Sequence, residues 1–270
     1  MLEITSKDNT KIKDYKKLCT SRKHRLQTER FVLEGARLVC DALKSGANIH
    51  TLFVTQAGIA RLDADFAKLA AQSEIVLISD AMAAYMAETE TPQGVFAVCS
   101  GRLFNQHLPD DANNGILMLC SLQDPGNVGT ILRSADAFGL SAVVMTADCP
   151  EPDAPKVLRA SMGAALRVPV YVTEDAVAAI SQLKLSGITV YAAALGEQSL
   201  PIDGVSLTNS AVVIGNEGAG IPDKVLSACD SRVVLPISAQ SESLNAAMAA
   251  TVFAWELSQA ARRDKGGVSQ

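Results

Sequence analysis

Five side chains in the second half of this 270-residue chain have types and spacing suited to shared chemistry. They are Asn127 and Arg133 after one apolar run, Glu217 in a glycine turn after another, and Ser243 with Asn245 after a third. Asparagine and serine offer neutral donors and acceptors, which position a charged reactant without opposing its charge. Arginine stays charged at every physiological pH and grips phosphate or a developing oxyanion through its fork of N–H donors. Each residue also has an ordinary reading. A helix N-cap accounts for Asn127 equally well, Arg133 alone is a solvated helix arginine, Glu217 is a surface carboxylate, and Ser243 and Asn245 are caps of the last helix. The argument for a site is their joint arrival at the ends of three strands.

Those strands follow from the apolar pattern. Residues 116–122 read as a strand, Gln123-Asp124-Pro125-Gly126-Asn127-Val128-Gly129 follows, and a helix bearing Ile131, Leu132, Ala135 and Phe138 stops at Gly139. Strands are expected over 142–145, 168–172, 188–195 and 211–214, with helices over 155–166 and from an Asp175 cap to Leu185. The turn Gly215-Asn216-Glu217-Gly218-Ala219-Gly220 leads to a short helix and a strand over 232–237. A polar loop through Gln240 and Glu242 precedes Ser243-Leu244-Asn245, which opens a long helix. Near-continuous apolar strands alternating with helices describe a parallel sheet covered on both faces, which binds ligands beyond the carboxyl ends of its strands.

The first hundred residues alternate shorter strands (51–55, 74–78, 95–99) with helices (from Leu38 to Gly46, 66–71, 81–87), a small α/β domain. The polar stretch 105–115 reads as a linker, giving a substrate-binding part over 1–104 and a catalytic part over 116–270. Of the 24 Lys/Arg and 29 Asp/Glu, nine basic and four acidic residues fall in 1–30, leaving 15 basic against 25 acidic elsewhere. A solvated helix face explains such a surplus about as well as a phosphate-binding arm. The density of Lys11, Lys13, Lys16, Lys17, Arg22, Lys23 and Arg25 tips the reading toward nucleic acid.

Several classes are disfavoured. No G-x-G-x-x-G follows the first strand of the sheet, no acidic residue is placed to hold a ribose, and there is no P-loop lysine, which argues against nicotinamide enzymes and NTPases. The three histidines are far apart, so no metal is expected. The six scattered cysteines read as buried thiols of a cytoplasmic protein. No secretory signal and no apolar run of about 20 residues is visible, so no membrane role is expected.

Three blocks resemble the motifs of the SpoU (TrmH-like) RNA 2′-O-ribose methyltransferases of the SPOUT class. The first is Asp124-Pro125-Gly126-Asn127-Val128-Gly129 with Arg133 and Phe138-Gly139. The second is Ile214-Gly215-Asn216-Glu217-Gly218 with Gly220. The third is Leu235-Pro236-Ile237 followed by Ser243-Leu244-Asn245-Ala246, with Ile237 where family members often carry methionine. Arg22-Lys23-His24-Arg25 and Phe31-Val32-Leu33-Glu34-Gly35 resemble the L30e-like substrate-binding domain that precedes such catalytic domains.

The resemblance implies an α/β fold with a C-terminal trefoil knot, S-adenosylmethionine held by Gly215, Leu235, Ile237 and Leu244, and homodimers whose active sites lie at the subunit interface. It implies Asn127, Arg133, Glu217, Ser243 and Asn245 as catalytic residues. With Arg133 acting as a clamp, Glu217 is expected to orient that arginine, within the chain or across the dimer interface. Family models place Arg133 at the 2′-hydroxyl, and a phosphate clamp suits a group of pKa above about 12 better than a general base does. Structured RNA is the expected partner, 23S ribosomal RNA first and transfer RNA second. The rival readings are an RNA-binding module without catalysis and a different nucleotide-dependent α/β enzyme.

Overall fold

A computed structural model describes residues 2–196, 198–238, 240 and 243–267. The chain forms two compact units, Met1–Leu103 with Asp153–Leu166, and Phe104–Pro152 with Arg167–Gln270.

The first unit runs β1 (Leu2–Ile4), α1 (Thr10–Thr20), α2 (Arg22–Thr28), β2 (Arg30–Glu34), α3 (Ala36–Lys44), β3 (Asn48–Val54), α4 (Gln56–Leu62), α5 (Ala64–Gln72), β4 (Glu74–Ile78), α6 (Asp80–Met86) and β5 (Val95–Ser100). Its mixed sheet has the order β1-β4-β3-β5-β2, with β5 antiparallel to both neighbours. Tyr15 of α1 packs edge-on to Phe53 and Phe96 at the centre of the core. The basic cluster forms two helices rather than an extended arm, and much of it is paired internally. Lys13 meets Asp8 at 2.7 Å and Lys16 meets Glu88 at 3.1 Å. Lys11 pairs with Glu74, and Arg25 is buried with Nη1 donating to the Leu18 carbonyl at 2.9 Å. Lys17, Arg22 and Lys23 are exposed.

The second unit contains β6 (Ile116–Leu119), α7 (Pro125–Phe138) and β7 (Ala142–Thr146). The next helix, α8 (Pro155–Ala160), belongs to the first unit and packs on β2. The second unit resumes with β8 (Val170–Thr173), α9 (Ala176–Leu185), β9 (Thr189–Ala193), β10 (Leu200–Pro201), β11 (Ser210–Ile214), α10 (Asp223–Ala228), β12 (Ser231–Val234) and α11 (Ala246–Gly267). Its seven strands are all parallel, in the order β10-β12-β9-β11-β6-β7-β8. Every residue of β6, β7 and β11 is buried, which is why these strands read as unbroken apolar runs. Alternate residues such as Met118, Val144 and Val213 meet Ile180 and Leu183 of α9 in one core. The pair α7 and α11 is tied by Ser134 Oγ and Thr251 Oγ1 at 2.7 Å and by Phe138 edge-on to Trp255.

The α/β class and the parallel sheet are as the pattern predicts, and several element bounds differ. Asp175 caps α9 by accepting from Val177 and Ala178 N–H, and Gly139 ends α7 in the left-handed region. Helix α8 stops at Ala160, because Met162 and Gly163 both have positive φ. Strand β12 ends at Val234, before Pro236 and Ile237. The segment 105–115 is bonded into the second unit, with Asn105 joined to the Val170 and Val172 main chain of β8, Ala112 N–H donating to Asn209 Oδ1, and Ala112 fully buried. All six cysteines are free thiols, and burial pushes Cys99 up to about 12. Among the described residues no cluster of His, Cys, Asp or Glu could hold a metal ion, and no helix is long and apolar enough to cross a membrane.

Candidate active site

Parallel strands deliver their carboxyl ends to one edge of the sheet, and the loops after β6 and β11 meet there. The β6 loop turns at Ser121, whose φ of 57° is unusual for a residue with a side chain. It is held from both sides, since its N–H donates to Thr146 Oγ1 at 2.9 Å and its carbonyl accepts from Asn216 Nδ2 at 2.7 Å. Asp124 then caps α7 by accepting from Gly126 N–H at 2.9 Å, with Pro125 in the first turn. Asn127 is thus not the cap; Asp124 is. Asn127 sits inside the helix with its amide directed to the neighbouring loop.

The β11 loop closes on itself. Asn216 and Gly220 exchange main-chain hydrogen bonds of 2.9 and 3.0 Å, and Asn216 Oδ1 accepts from the N–H groups of Gly218 and Ala219. A Cβ on Gly215 would lie 2.5 Å from the Gly220 carbonyl carbon and 2.6 Å from Ile221 Cγ1, so only glycine fits. This turn projects Glu217 across to the β6 loop. Its carboxylate accepts from Asn127 Nδ2 at 2.8 Å and from the main-chain N–H groups of Gln123 (3.2 Å) and Asp124 (3.3 Å). Burial pushes the Glu217 pKa up, but these donors outweigh it and hold the carboxyl below its ordinary value of 4.5. Glu217 is therefore an anion at neutral pH.

Asn245 completes the chain of contacts. Its Oδ1 caps α11 by accepting from Ala247 and Met248 N–H, while its Nδ2 donates to Asn127 Oδ1 at 3.1 Å. Both readings of Asn245, cap and site group, hold at once. Next to it in sequence, Ser243 and Leu244 line an open cavity of about 230 Å³ together with Leu195 after β9, Leu235 and Ile237 after β12, and Phe253 of α11.

The five expected catalytic residues are thus not all placed alike. Asn127, Glu217 and Asn245 are joined by hydrogen bonds, and Ser243 borders the cavity. Arg133 stands apart on the exposed side of α7, roughly 9 Å further along the helix, and among the described residues it bonds to none of them. Within one chain Glu217 therefore orients Asn127 and the β6 loop. Of the expected cofactor residues, Leu235, Ile237 and Leu244 line the cavity, while Gly215 lies within its own turn. Asn216 and Ser121, which fasten the two loops together, are not singled out by sequence. Asp124 is readable, since an Asp followed by Pro and Gly ahead of a helical pattern is a cap signal.

Residues 114–255 match the sequence model of the SpoU rRNA Methylase family. The chain belongs to that family. Ahead of the SpoU region, residues 9–97 match the MRM3-like substrate binding domain. The 23S rRNA (guanosine(2553)-2'-O)-methyltransferase RlmP of Bacillus subtilis is 35% identical over 261 residues, covering 95% of this chain and 99% of that one. An AdoMet-bound rRNA methyltransferase from Sinorhizobium meliloti superposes with a TM-score of 0.82 at 28% identity, over 97% of both chains. A putative RNA methyltransferase of the TrmH family from Porphyromonas gingivalis gives 0.78 at 30% identity, over 95% of this chain and 98% of that one. The SpoU resemblance read from the three blocks is borne out. Those blocks correspond to the β6 loop with α7, the β11 turn, and the segment between β12 and α11.

Proposed function

We propose that this SpoU-family chain is an enzyme that transfers a methyl group from S-adenosylmethionine to a ribose 2′-hydroxyl of RNA, with 23S ribosomal RNA as substrate. One observation carries the reading. Leu244 lines a cavity of about 230 Å³ while the next residue, Asn245, is bonded into the Asn127–Glu217 pair, so donor and acceptor groups would meet at one junction. The cavity suits the cofactor. Leu195, Ile237 and Leu244 leave apolar surface uncovered at its rim, and the main chain leaving β9 and β12 offers hydrogen bonds to a heterocycle edge.

When bound, S-adenosylmethionine supplies a methyl group already activated by its sulfonium. The chain's own task is to place a hydroxyl oxygen in line and manage its proton. Asn127, held on both sides of its amide, and Ser243 are the positioning groups. Glu217 neutralises nothing on the substrate; it fixes Asn127 and the β6 loop. Arg133 clamps the phosphate beside the ribose and steadies charge developing on the 2′-oxygen, because a guanidinium makes a poor base near neutrality.

Among the described residues Arg133 bonds to none of the other four site residues, and in this reading it acts across a homodimer interface. An apolar stripe on α11 supports that arrangement, with Met248 66%, Val252 41% and Trp255 44% exposed beside α7. The C-terminal segment forms the trefoil knot of the family, and the first unit is its L30e-like RNA-binding domain. The protein works in the cytoplasm without a metal. Calorimetry with S-adenosylmethionine, S-adenosylhomocysteine and NAD tests the cofactor reading, and binding of neither adenosyl ligand would overturn it. Sedimentation at micromolar concentration tests the dimer, and a monomer would remove it.

A further inference from the structure

The first unit contains a second cavity, of about 290 Å³, that the methyl-transfer machinery leaves unexplained. Arg37 and Asp41 on α3, Arg159 and Leu158 on α8, Met162 just beyond it, and Gln93 before β5 border this space. Arg37, Asp41 and Arg159 form no ion pair there among the described residues, although two guanidiniums and a carboxylate share one opening. Glu34, also at its edge, is already committed, accepting from Glu88 N–H at 2.9 Å and Thr89 N–H at 3.3 Å. The two guanidiniums and two carboxylates balance in formal charge, and with Glu34 held by these bonds it is Arg37, Arg159 and Asp41 that face the opening.

Two features show the opening to be held in shape. Gln93 Oε1 accepts from Ala36 N–H at 2.9 Å at the start of α3, which fixes the amide orientation and turns the Nε2 donors away from that helix. Met162 has φ of 52° and is 43% exposed, a costly conformation and a costly exposure for a large apolar side chain. The turn that imposes both is pinned by buried Ser161, whose Oγ donates to the Leu158 carbonyl at 2.9 Å and accepts from Ala165 N–H.

We propose that this cavity receives one nucleotide of the substrate RNA, turned out of its stack. Arg37 and Arg159 hold the flanking phosphates, and the exposed Met162 covers a face of the base. Asp41 accepts from the base edge while Gln93 Nε2 donates to it. Guanine offers that combination, with N1–H and N2–H beside the O6 acceptor, so a guanine is the nucleotide recognised. Single unstacked bases read by apolar cover and edge hydrogen bonds are the usual way that proteins read RNA sequence.

This inference rests on the RNA reading of the protein, and its test is separable from that reading. The probe is unmodified 23S ribosomal RNA transcribed in vitro, bound to full-length protein in a filter assay without cofactor. Arg37→Ala and Arg159→Ala should each weaken binding by about tenfold, the loss expected for one charge-assisted contact, with S-adenosylmethionine affinity unchanged. Lys at either position should restore part of the loss. Transcript carrying 6-thioguanosine should crosslink to peptides containing Gln93 or Met162, and Asp41→Asn should reduce that crosslink. Arg variants that bind within twofold of wild type, or guanine crosslinks that avoid these peptides, would overturn the pocket. So would wild-type protein that binds S-adenosylmethionine but not this RNA. Protein that binds the RNA through these residues yet binds no S-adenosylmethionine would instead sink the methyl-transfer reading and leave the pocket standing. Circular dichroism of each variant separates lost contacts from lost folding.

Discussion

Asn127 donates its side-chain amide to the Glu217 carboxylate at 2.8 Å, joining the first turn of α7 to the β11 turn 90 residues later in the chain. The other end of the same amide accepts from Asn245 at 3.1 Å, so one asparagine ties the start of α7 to both later motif blocks. A side chain held at both ends has one rotamer available, which is what positioning a reactant requires.

Glu217→Gln tests that geometry. The glutamine keeps the shape but turns one acceptor oxygen into a donor, facing groups that already donate. Single-turnover methylation should slow by about 10- to 100-fold, the cost of losing a hydrogen bond to a charged partner. A rate within twofold of wild type would show that Glu217 is a surface carboxylate.

The same group gives a pH dependence. Glu217 has a folded pKa below its ordinary 4.5. A depressed carboxylate contributes stability above its unfolded pKa and loses it as pH falls through the folded value. Wild-type thermal stability should therefore drop between pH 4.5 and the lower folded pKa more steeply than that of Glu217→Gln. Parallel curves for the two proteins would contradict the assignment.

Gly215→Ala separates two roles for that glycine. The added Cβ would press on Gly220 and Ile221 at 2.5 and 2.6 Å, displacing the turn that aims Glu217. Turnover should fall while S-adenosylmethionine affinity, measured by calorimetry, stays within a few fold. A large loss of affinity with turnover preserved at saturation would instead assign Gly215 to the cofactor.

Arg133 should act from the neighbouring subunit. Asn127→Ala and Arg133→Ala homodimers should both be nearly inactive, and mixing them after mild dissociation should recover up to about a quarter of wild-type activity, because half the dimers are mixed and each has one intact site. No recovery would place Arg133 in its own chain's site. Arg133→Lys adds a check on its chemistry: a large return of rate with a new titration at the lysine pKa would favour a general base over a clamp.

Much of this is legible in the sequence. Unbroken apolar runs in β6, β7 and β11 announced a buried parallel sheet, and such a sheet gathers its strand ends along one edge, which brings Asn127, Glu217 and Asn245 within reach. Which of them touch was not legible. The Glu217 contact depends on a turn closed by Asn216 and on the left-handed Ser121, and neither conformation leaves a periodic trace. Asn127 read as a cap because its neighbours are glycine and a helix; Asp124 three residues earlier took that role and moved Asn127 inward. The early end of α8 was hidden because Met162 is an unusual residue for positive φ. Helix α4 has only Gly58 and Leu62 buried, too few to set a helical period. The basic surplus of the first thirty residues was visible, while its internal pairing with Asp8, Glu74 and Glu88 needs the fold.

The most direct measurement is a map of ribose 2′-O-methyl groups on total RNA from cells with and without this gene. One 23S ribosomal RNA methyl should be lost in the deletion strain, return with the wild-type gene, and fail to return with Asn127→Ala. Identical maps from the two strains would contradict this, and a loss confined to transfer RNA would move the substrate to that class.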